Sequence, residues 1–211
     1  NAVALELRGE DLHDYDVEAG HHVRVRFLTR NGWWQSHPFS LSAVPQADAW
    51  RITVVGAGDH TRWMQGIRVG TPCLVSGAYG HLTHRPGGRH VALIGGGAGI
   101  TPLRALLEEL PAGVDARVLY RARSWEDVLH PEELDHLARQ RGGDVKYLLG
   151  PRHKDPKQDV LSPQSLSKLL PDITSRDVYV CGLAEFVDTV DKALQKLHVP
   201  RKQIHLERYD P

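Results

Sequence analysis

A glycine-rich turn at residues 95–101 has the composition of a phosphate-binding site. Its glycines are Gly95, Gly96, Gly97 and Gly99. Without side chains, the turn lets a phosphate approach the backbone, and the N–H groups at the start of a following helix attract its negative charge. The spacing departs from Gly-x-Gly-x-x-Gly, so a plain tight connection is the alternative interpretation of these residues.

The segments on either side of this turn can hold it in place. Residues 91–94 form an apolar run that predicts a buried strand. Leucines at helical spacing then predict a helix with one apolar face, and they are Leu103, Leu106, Leu107 and Leu110. We expect Thr101 to cap this helix, Pro102 to lie in its first turn, and Pro111 with Gly113 to end it. A strand, a glycine turn and a helix in this order are typical of a nucleotide-binding unit.

The chain divides into two halves with different patterns. Residues 1–85 show short strands and turn signals without a long helix, which indicates a small antiparallel barrel or sandwich. Its strands are predicted at 3–7, 22–28, 39–42, 51–55 and 73–76, with one helical turn at 61–65. Residues 89–211 alternate strands and helices, which predicts a Rossmann-like parallel sheet with helices on both faces. Beyond the leucine helix, its elements are predicted at 116–120, 131–140, 145–149, 163–170, 178–180, 185–197 and 204–206.

Composition excludes several classes of function. The 26 basic and 26 acidic residues give no net charge, which argues against a general binder of nucleic acid or anionic membranes but leaves a local basic patch open. Two cysteines, Cys73 and Cys181, cannot hold an iron–sulfur cluster or a structural zinc ion unaided. The 13 histidines are scattered, and we interpret pairs such as His21-His22 as surface residues rather than metal ligands. No apolar run reaches the roughly 18 residues of a membrane span.

Three further motifs make the order of the two halves more informative. They are His37-Pro-Phe-Ser-Leu-Ser42, Gly77-Ala-Tyr-Gly80, and Tyr179-Val-Cys-Gly182 together with Glu207-Arg-Tyr209. With these motifs, the whole chain resembles the ferredoxin–NADP reductase superfamily. His-Pro-Phe-Ser in place of the usual Arg-x-Tyr-Ser is similar to its ferric reductase and NADPH oxidase branch. The resemblance implies an FAD-binding β-barrel followed by an NADPH-binding α/β domain.

In the first half, the resemblance implies a set of contacts with FAD. Phe39 would lie against the flavin ring, and Ser40 would hydrogen-bond the reactive ring nitrogen. His37, followed by Pro38, stands where many relatives carry an arginine, so its contact with the flavin phosphates would be weaker and pH-dependent. Thr61 at a helix start would touch the pyrophosphate, which favours FAD over FMN. The remaining residues of this predicted flavin site are Thr53 and Val55 in the stretch 51–61, and Gly77 and Tyr79 in the turn that follows.

In the second half, the resemblance implies the binding of a nicotinamide dinucleotide. The loop from Gly95 through Ile100 to Thr101 would hold its pyrophosphate. Arg121 and Arg123 follow the next strand, and an arginine there can pair with the additional phosphate of NADPH. Solvated arginines are the alternative interpretation, and nearby Asp127 leaves NADH open as the substrate.

The end of the chain is expected to complete the reaction centre. Cys181 and Gly182 would lie beside the nicotinamide ring, at the end of a parallel strand. Glu207 resembles a carboxylate near the flavin that assists proton balance, and Tyr209 resembles a terminal aromatic that covers the flavin until nicotinamide displaces it. The predicted catalytic residues are therefore Ser40, Cys181 and Glu207, and no metal site is predicted.

These expectations define a flavin-dependent oxidoreductase that takes a hydride from NADPH and releases single electrons to an acceptor outside the chain. That acceptor would be haem in a membrane domain, a ferric chelate, a quinone or oxygen. The sequence starts without methionine or a signal peptide, which indicates a domain cut from a longer protein. The resemblance implies a cytoplasmic location, with a membrane domain in the same protein as one expectation. The alternatives are a soluble reductase of ferric chelates, quinones or an electron carrier, and a non-catalytic module that senses NADPH.

Overall fold

The computed structural model describes residues 2–30, 33–56, 58–84, 89–151 and 159–209. The sequence also predicts a turn at Asn31-Gly32, a linker between the halves at 83–89 and an exposed loop at 151–159. Asn31-Gly32, the middle of that linker, most of that loop and the terminal Asp210-Pro211 lie outside the described residues. Among the described helices, none is long and apolar enough to span a bilayer.

The first half of the chain forms two antiparallel sheets around one apolar core. Its elements are β1 (Ala2–Arg8), β2 (His22–Phe27), β3 (His37–Ser40), β4 (Ala49–Val55), α1 (Asp59–Met64) and β5 (Cys73–Tyr79). One sheet pairs β1 with β4, the other has the order β3-β2-β5, and a bridge between Leu41 and Ile52 joins them. Residues from both sheets, including Val25 and Trp50, share the core, as the alternation of apolar and polar residues requires.

The second half is a parallel sheet covered by helices on both faces. Its elements are β6 (His90–Gly96), α2 (Ile100–Glu109), β7 (Asp115–Ala122), α3 (Pro131–Gln140), β8 (Val145–Leu149), α4 (Pro163–Leu169), β9 (Asp177–Leu183), α5 (Ala184–Lys196) and β10 (Ile204–Tyr209). The strand order is β10-β9-β6-β7-β8. Helices α2 and α3 pack on one face, and α4 and α5 on the other. Buried on both faces, β6 is apolar without alternation. The predicted fold class, an antiparallel unit followed by a Rossmann-like parallel sheet, is confirmed.

The two halves share apolar and polar contacts. Ala19 and Leu82 from the first half lie in the same apolar cluster as Leu103 and Leu106 of α2. Beside them, the buried guanidinium of Arg104 donates to the Ser42 carbonyl, 3.1 Å away in the first half. The glycine turn at the start of α2 is therefore held against the antiparallel half.

A buried arginine ties together the edge of the parallel sheet at which the strands begin. Arg176 donates to the Asp172 and Asp115 carboxylates, 2.7 Å each, and to the Val91 carbonyl. The hydrogen bond from Arg176 holds the pKa of Asp172 below its usual value. Burial alone would raise the pKa of Asp115, but Arg176 lowers it on balance. His90 lies beside both carboxylates at metal-ligand spacing, yet Arg176 already neutralises this group, so we interpret it as an ion-pair network.

Replacing Asp115 with asparagine is expected to lower the free energy of unfolding at pH 7 by about 1–2 kcal/mol, because Arg176 loses a charged partner. A carboxyl whose pKa is depressed by folding contributes stability above its unfolded pKa, and this is lost as pH falls through the folded value. The difference between parent and variant should therefore shrink below about pH 4. Urea unfolding at both pH values measures it. The exposed pair of Asp188 and Arg208 supplies the control Asp188→Asn, and an equal, pH-independent cost in both variants would contradict the prediction.

Candidate functional site

The glycine turn packs so closely on its neighbours that side chains would not fit. A Cβ on Gly99 would lie 2.2 Å from the Cys181 carbonyl oxygen, and one on Gly96 would lie 2.8 Å from the ring of Phe186. Gly97 is exposed and has a φ of +54°, a left-handed conformation that suits glycine. The turn therefore lies against β9 and α5 and presents bare backbone at Gly97.

The helix after the turn begins differently from the sequence prediction. A 3₁₀ turn, Gly97–Gly99, leads directly into α2, whose N-cap is Gly99. The prediction that Thr101 caps the helix is wrong, because Thr101 lies inside it and its hydroxyl donates to the Ala98 carbonyl, 2.9 Å away. Its N-cap, Gly99, has no side chain that could cap the helix start. Its first N–H groups are therefore left to water, to a ligand or to a group from elsewhere in the chain.

Tyr209 supplies such a group from the end of β10. Its hydroxyl donates to the Gly96 carbonyl, 3.2 Å away. Burial raises the pKa of Tyr209 to about 12, although hydrogen bonds from the backbone of Gly99 and Ala98 oppose the rise. The terminal aromatic thus lies in the glycine turn itself, and its predicted contact with a flavin ring stays a prediction.

A cavity of about 500 Å³ opens at the edge of the parallel sheet where the strands end. Ligands of open α/β sheets bind at this edge, and the volume is in the usual range for small-molecule sites. Polar and charged side chains at one end of it come from the segment after β7. The lining includes Val55, Gly96, Gly97, Arg121, Arg123, Glu126, Asp127, Leu183, Phe186 and Tyr209. The sequence analysis missed Phe186 and Glu126, because neither belongs to a motif.

The two arginines at the end of β7, Arg121 within the strand and Arg123 just after it, differ in their surroundings. Arg121 donates to the carbonyls of Leu148, at 2.8 Å, and Gly150, at 2.5 Å, and also to that of Ala122. Burial lowers the pKa of Arg121. Arg123 is exposed at the rim of the same cavity. Arg121 therefore joins the ends of β7 and β8, which leaves Arg123 as the better placed of the two for an incoming phosphate.

The His-Pro-Phe-Ser motif forms β3 at the edge of the three-stranded sheet. Antiparallel pairing sets Phe39 opposite Val23 and Ser40 opposite His22. The Phe39 ring is half-buried and packs against the apolar core of the antiparallel half. Pro38 is exposed, and His37 and Ser40 are half-buried. The predicted contacts of these four residues with a flavin stay predictions.

Two other predicted flavin residues already make contacts within the protein. The buried Thr53 hydroxyl lies 2.9 Å from Nε2 of His130, just before α3. Thr61, predicted at a helix start, is in the first turn of α1, where its hydroxyl accepts from the Gly58 N–H at 2.9 Å. A bound flavin would therefore have to contact these hydroxyls beside His130 and Gly58 or replace those partners.

A histidine links the predicted catalytic residues. Nδ1 of His22 lies 3.3 Å from Oε1 of Glu207, and both side chains are largely buried. His22 pairs with Ser40 across β2 and β3, and Glu207 pairs with Cys181 across β10 and β9. The contact between His22 and Glu207 therefore connects the strand pair that holds Ser40 with the strand pair that holds Cys181. The interpretation of His22 as a surface histidine is wrong.

Glycines next to this histidine make room for the carboxylate. A Cβ on Gly80 would lie 3.0 Å from Oε2 of Glu207, and Gly80 has a φ of +93°. The Tyr79 ring lies 5.7 Å from that of His22. Gly77, with a φ of +136°, precedes them in β5. The Gly77-Ala-Tyr-Gly80 motif therefore borders the meeting point of the two halves.

The Cys181 thiol is expected to be chemically inert. Burial and the nearby Glu207 charge raise its pKa, and burial also raises the pKa of the half-buried Cys73 thiol. Thiolate is the reactive form, so in a Cys73→Ser variant Cys181 should react with Ellman's reagent at about pH 8 at least 100-fold more slowly than free cysteine. Denaturant should restore the ordinary rate. Fast labelling of the native variant would contradict this expectation.

Comparisons with known proteins match both halves. The profile of an oxidoreductase NAD-binding domain matches residues 93–192, and that of an FAD-binding domain matches residues 1–80. Ferredoxin–NADP reductase B of Sorangium cellulosum is 30% identical over 98% of this chain and 91% of that protein. A flavohemoprotein of Halalkalibacterium halodurans is 28% identical over 96% of this chain and 54% of that protein. The chain thus spans about half the length of several of the curated relatives it matches.

A solved structure shares the complete fold. The FAD/NAD-binding domain of nitric oxide dioxygenase from Vibrio cholerae O1 biovar El Tor superposes with a TM-score of 0.82 at 22% identity. The match covers 100% of this chain and 93% of that one. At this identity the likeness concerns the fold alone.

Proposed function

Because this chain belongs to the ferredoxin–NADP reductase superfamily of oxidoreductases, which bind FAD and NAD(P)H, we propose that it takes a hydride from NADPH and passes single electrons to an acceptor outside the chain. Residues 1–85 would bind FAD, and residues 89–211 would bind NADPH. The observation that carries the proposal is the contact between His22 and Glu207 across the two halves, with Ser40 and Cys181 on the strands paired with theirs.

The residues present suit both cofactors. Bare backbone at Gly97, the uncapped start of α2 and the cavity of about 500 Å³ fit a dinucleotide phosphate and its attached ring. Near the boundary of the halves, the Ser40 hydroxyl and the His22–Glu207 pair offer the donors and acceptors that a flavin ring needs. A bound flavin supplies the conversion between two-electron transfer from nicotinamide and one-electron transfer to the acceptor.

The protein would contribute position, exclusion of water and proton balance. Cys181, whose thiol is buried and has a raised pKa, would orient the nicotinamide ring by packing rather than by acid or base chemistry. Glu207 and His22 would hold or move a proton between Oε1 and Nδ1. Tyr209 would leave the glycine turn before phosphate can use the N–H groups there. Orientation of this kind supplies a large part of the rate in a transfer between two bound groups.

The acceptor has two candidates, each favoured by a relative. A flavohemoprotein among the relatives supports haem carried by another part of the same protein. The reductase components of 3-ketosteroid-9-alpha-monooxygenase and of glycine betaine monooxygenase support a separate protein that takes the electrons. We propose haem in an adjoining domain as the first candidate and a separate carrier as the second.

Anaerobic reduction of the FAD-loaded chain tests the proposal. NADPH should bleach the flavin absorbance faster than NADH does. Binding of FAD without bleaching by either nucleotide would favour a sensing module and overturn the assignment. If the flavin is bleached, a panel of one-electron acceptors that includes haem proteins and ferredoxins would distinguish haem from a separate carrier protein as the acceptor.

Arg123→Ala is expected to raise the NADPH concentration for half-maximal bleaching by about 10–100-fold, the loss of one charged hydrogen bond to phosphate. NADH should be affected far less, because it lacks that phosphate. Arg139→Ala, an exposed arginine on α3, is the control and should change neither value. Equal weakening of both nucleotides by Arg123→Ala would show that this arginine does not select NADPH.

A further inference from the structure

Exposed apolar side chains gather at one end of the antiparallel half. Trp33 and Trp34, 58% and 56% exposed, form an edge-to-face pair between β2 and β3. Val69, in the turn before β5, is fully exposed, and Leu28 and Leu74 are exposed beside these two connections. We call these five residues the tip surface. Apolar side chains that protrude together from a soluble unit usually mark a binding surface.

The backbone holds the two connections side by side. The Leu28 N–H donates to the Pro72 carbonyl, 2.8 Å away. Phe27 pairs with Cys73 and Arg26 with Leu74 where β2 and β5 run antiparallel. The segment after β2 and the segment before β5 therefore form one end of the sheet.

The segments that carry the tip surface contain arginines and no acidic residues. Arg26 and Arg30 belong to β2 and the residues after it, and Arg68 precedes Val69. Within the described part of the chain, none of these three forms an ion pair. The sequence contains no aspartate or glutamate at residues 19–47 or 60–107. A chain without net charge thus carries a local basic end.

We propose that the tip surface binds the head-group layer of an anionic lipid bilayer. Tryptophan favours the boundary between lipid head groups and acyl chains, and arginines next to it are attracted to anionic lipids. Val69, Leu28 and Leu74 would enter the apolar side of that boundary. The proposal concerns where the protein works and does not depend on which nucleotide or acceptor it uses.

The shape and chemistry of the tip surface favour lipid over other partners. Single-stranded nucleic acid would use the tryptophans as stacking platforms, but aliphatic Val69 and Leu28 offer bases no such face. An acidic protein would pair with the arginines, but a fully exposed valine at a turn protrudes instead of forming a pocket for a partner's side chain. A bilayer accepts protruding aliphatic and tryptophan side chains together.

Vesicle binding by the FAD-loaded chain tests the proposal. Vesicles of phosphatidylcholine mixed with phosphatidylglycerol should sediment the protein at lipid concentrations at least about tenfold below those needed with phosphatidylcholine alone, and added salt should weaken the binding. Lipids brominated in their acyl chains should quench tryptophan fluorescence, and this quenching should fall when Trp33 and Trp34 are both replaced by serine.

Matched variants separate the tip surface from general charge effects. Val69→Glu places a negative charge on a fully exposed side chain, so it should not disturb folding, and it should weaken vesicle binding at least about tenfold. Gln164→Glu, an exposed glutamine on α4, adds the same charge elsewhere and should leave binding unchanged. Trp125→Ser is the corresponding control for the tryptophan pair, since Trp125 is exposed in the other half.

Three results would overturn the proposal. They are equal binding to both kinds of vesicle, equal weakening by Val69→Glu and Gln164→Glu, and displacement from vesicles by polyglutamate or an oligonucleotide without any quenching by brominated lipid. The last result would assign the tip surface to an acidic protein or to nucleic acid.

Discussion

Gly99→Ala is expected to lower the free energy of unfolding by about 3 kcal/mol and to slow reduction by NADPH about 100-fold. The backbone of Gly99 has a φ of −62°, which any residue adopts, so the requirement is for space alone. Its Cβ would lie 2.2 Å from the carbonyl oxygen and 2.4 Å from the carbonyl carbon of Cys181. Both are backbone atoms of a buried strand, so β9 or the turn must shift, and overpacking of this kind is costly.

The predicted loss of rate follows from the position of that shift. Gly99 joins the glycine turn to α2, and Cys181 is the residue expected beside the nicotinamide ring. A displacement of about 1 Å between reacting groups can cost about 100-fold in rate. Both residues of the clash, Gly99 and Cys181, belong to the parallel-sheet half. FAD binding by the antiparallel half should therefore persist.

Stopped-flow reduction and urea unfolding measure the two effects separately. Gly113→Ala is the control: its φ of +87° strains alanine, but apart from its two chain neighbours no described residue has an atom within 4 Å of the added Cβ. It should cost about 1 kcal/mol and leave the reduction rate unchanged. An equal loss of stability in the two variants would show that β9 or the turn relieves the contact with Cys181 at little cost, which would contradict the prediction.

Most elements of the fold were predictable because local signals agree with the tertiary structure. The bounds predicted for α3, residues 131–140, and for β8, residues 145–149, are those observed. For α3, the signals are Pro131 at the first helical position and apolar residues at helical spacing. The other strands were predicted less well: β3 was expected at 39–42 and is observed at His37–Ser40. Strand β9 was expected at 178–180 and is observed at Asp177–Leu183, because its backbone ladder with β6 and β10 continues beyond the apolar run.

The start of α2 could not be predicted from local preference alone. Thr-Pro is typical of a cap followed by the first helical turn, but the three residues before Ile100 already form a helical turn of the 3₁₀ type. The helix therefore begins before the threonine, which bonds back to Ala98 instead. Which residue starts the helix depends on how tightly Gly99 packs against β9, and that is a tertiary contact.

In the candidate site, too, some features follow from the sequence pattern and others depend on tertiary packing. Cys181 and Glu207 lie opposite each other because consecutive parallel strands put both near their carboxyl ends, as the strand pattern implies. The contact between His22 and Glu207 joins residues 185 positions apart, and it depends on how the two halves meet. The carbonyl partners of Arg121 likewise depend on where β8 ends. Motifs therefore identify residues of the site, but not the partners that orient them.

Arg104→Gln is expected to lower the free energy of unfolding by about 3 kcal/mol, because it removes a buried charge that joins the halves. Besides the Ser42 carbonyl, the Arg104 guanidinium contacts the carboxylates of Glu108, at 2.5 Å, and Glu133, at 2.7 Å. Arg51, from β4, donates to the same Ser42 carbonyl and to Glu133. Without Arg104, Glu133 keeps only one arginine and Glu108 keeps only the Val44 N–H.

The cost should depend on pH in a definite direction. Burial alone would raise the pKa of Glu133, but Arg51 and Arg104 together hold it below its usual value. A depressed pKa contributes stability above the unfolded value of about 4.3, and this is lost as pH falls through the folded value. The difference between parent and variant, measured by urea unfolding, should therefore be large at pH 7 and shrink below about pH 4.

Arg8→Gln provides the comparison, since Arg8 pairs with Glu6 and the two side chains are 72% and 49% exposed. An exposed pair contributes about 0.5 kcal/mol, so the control should be nearly neutral. If Arg104→Gln costs no more than the control, the network is incidental and apolar contacts such as those of Leu82 hold the halves together. If Arg104→Gln costs the expected amount and also slows reduction by NADPH, Arg104 fixes how the two halves are placed for hydride transfer. Its effect on the rate would then be indirect, since the described contacts of its guanidinium are with Ser42, Glu108 and Glu133.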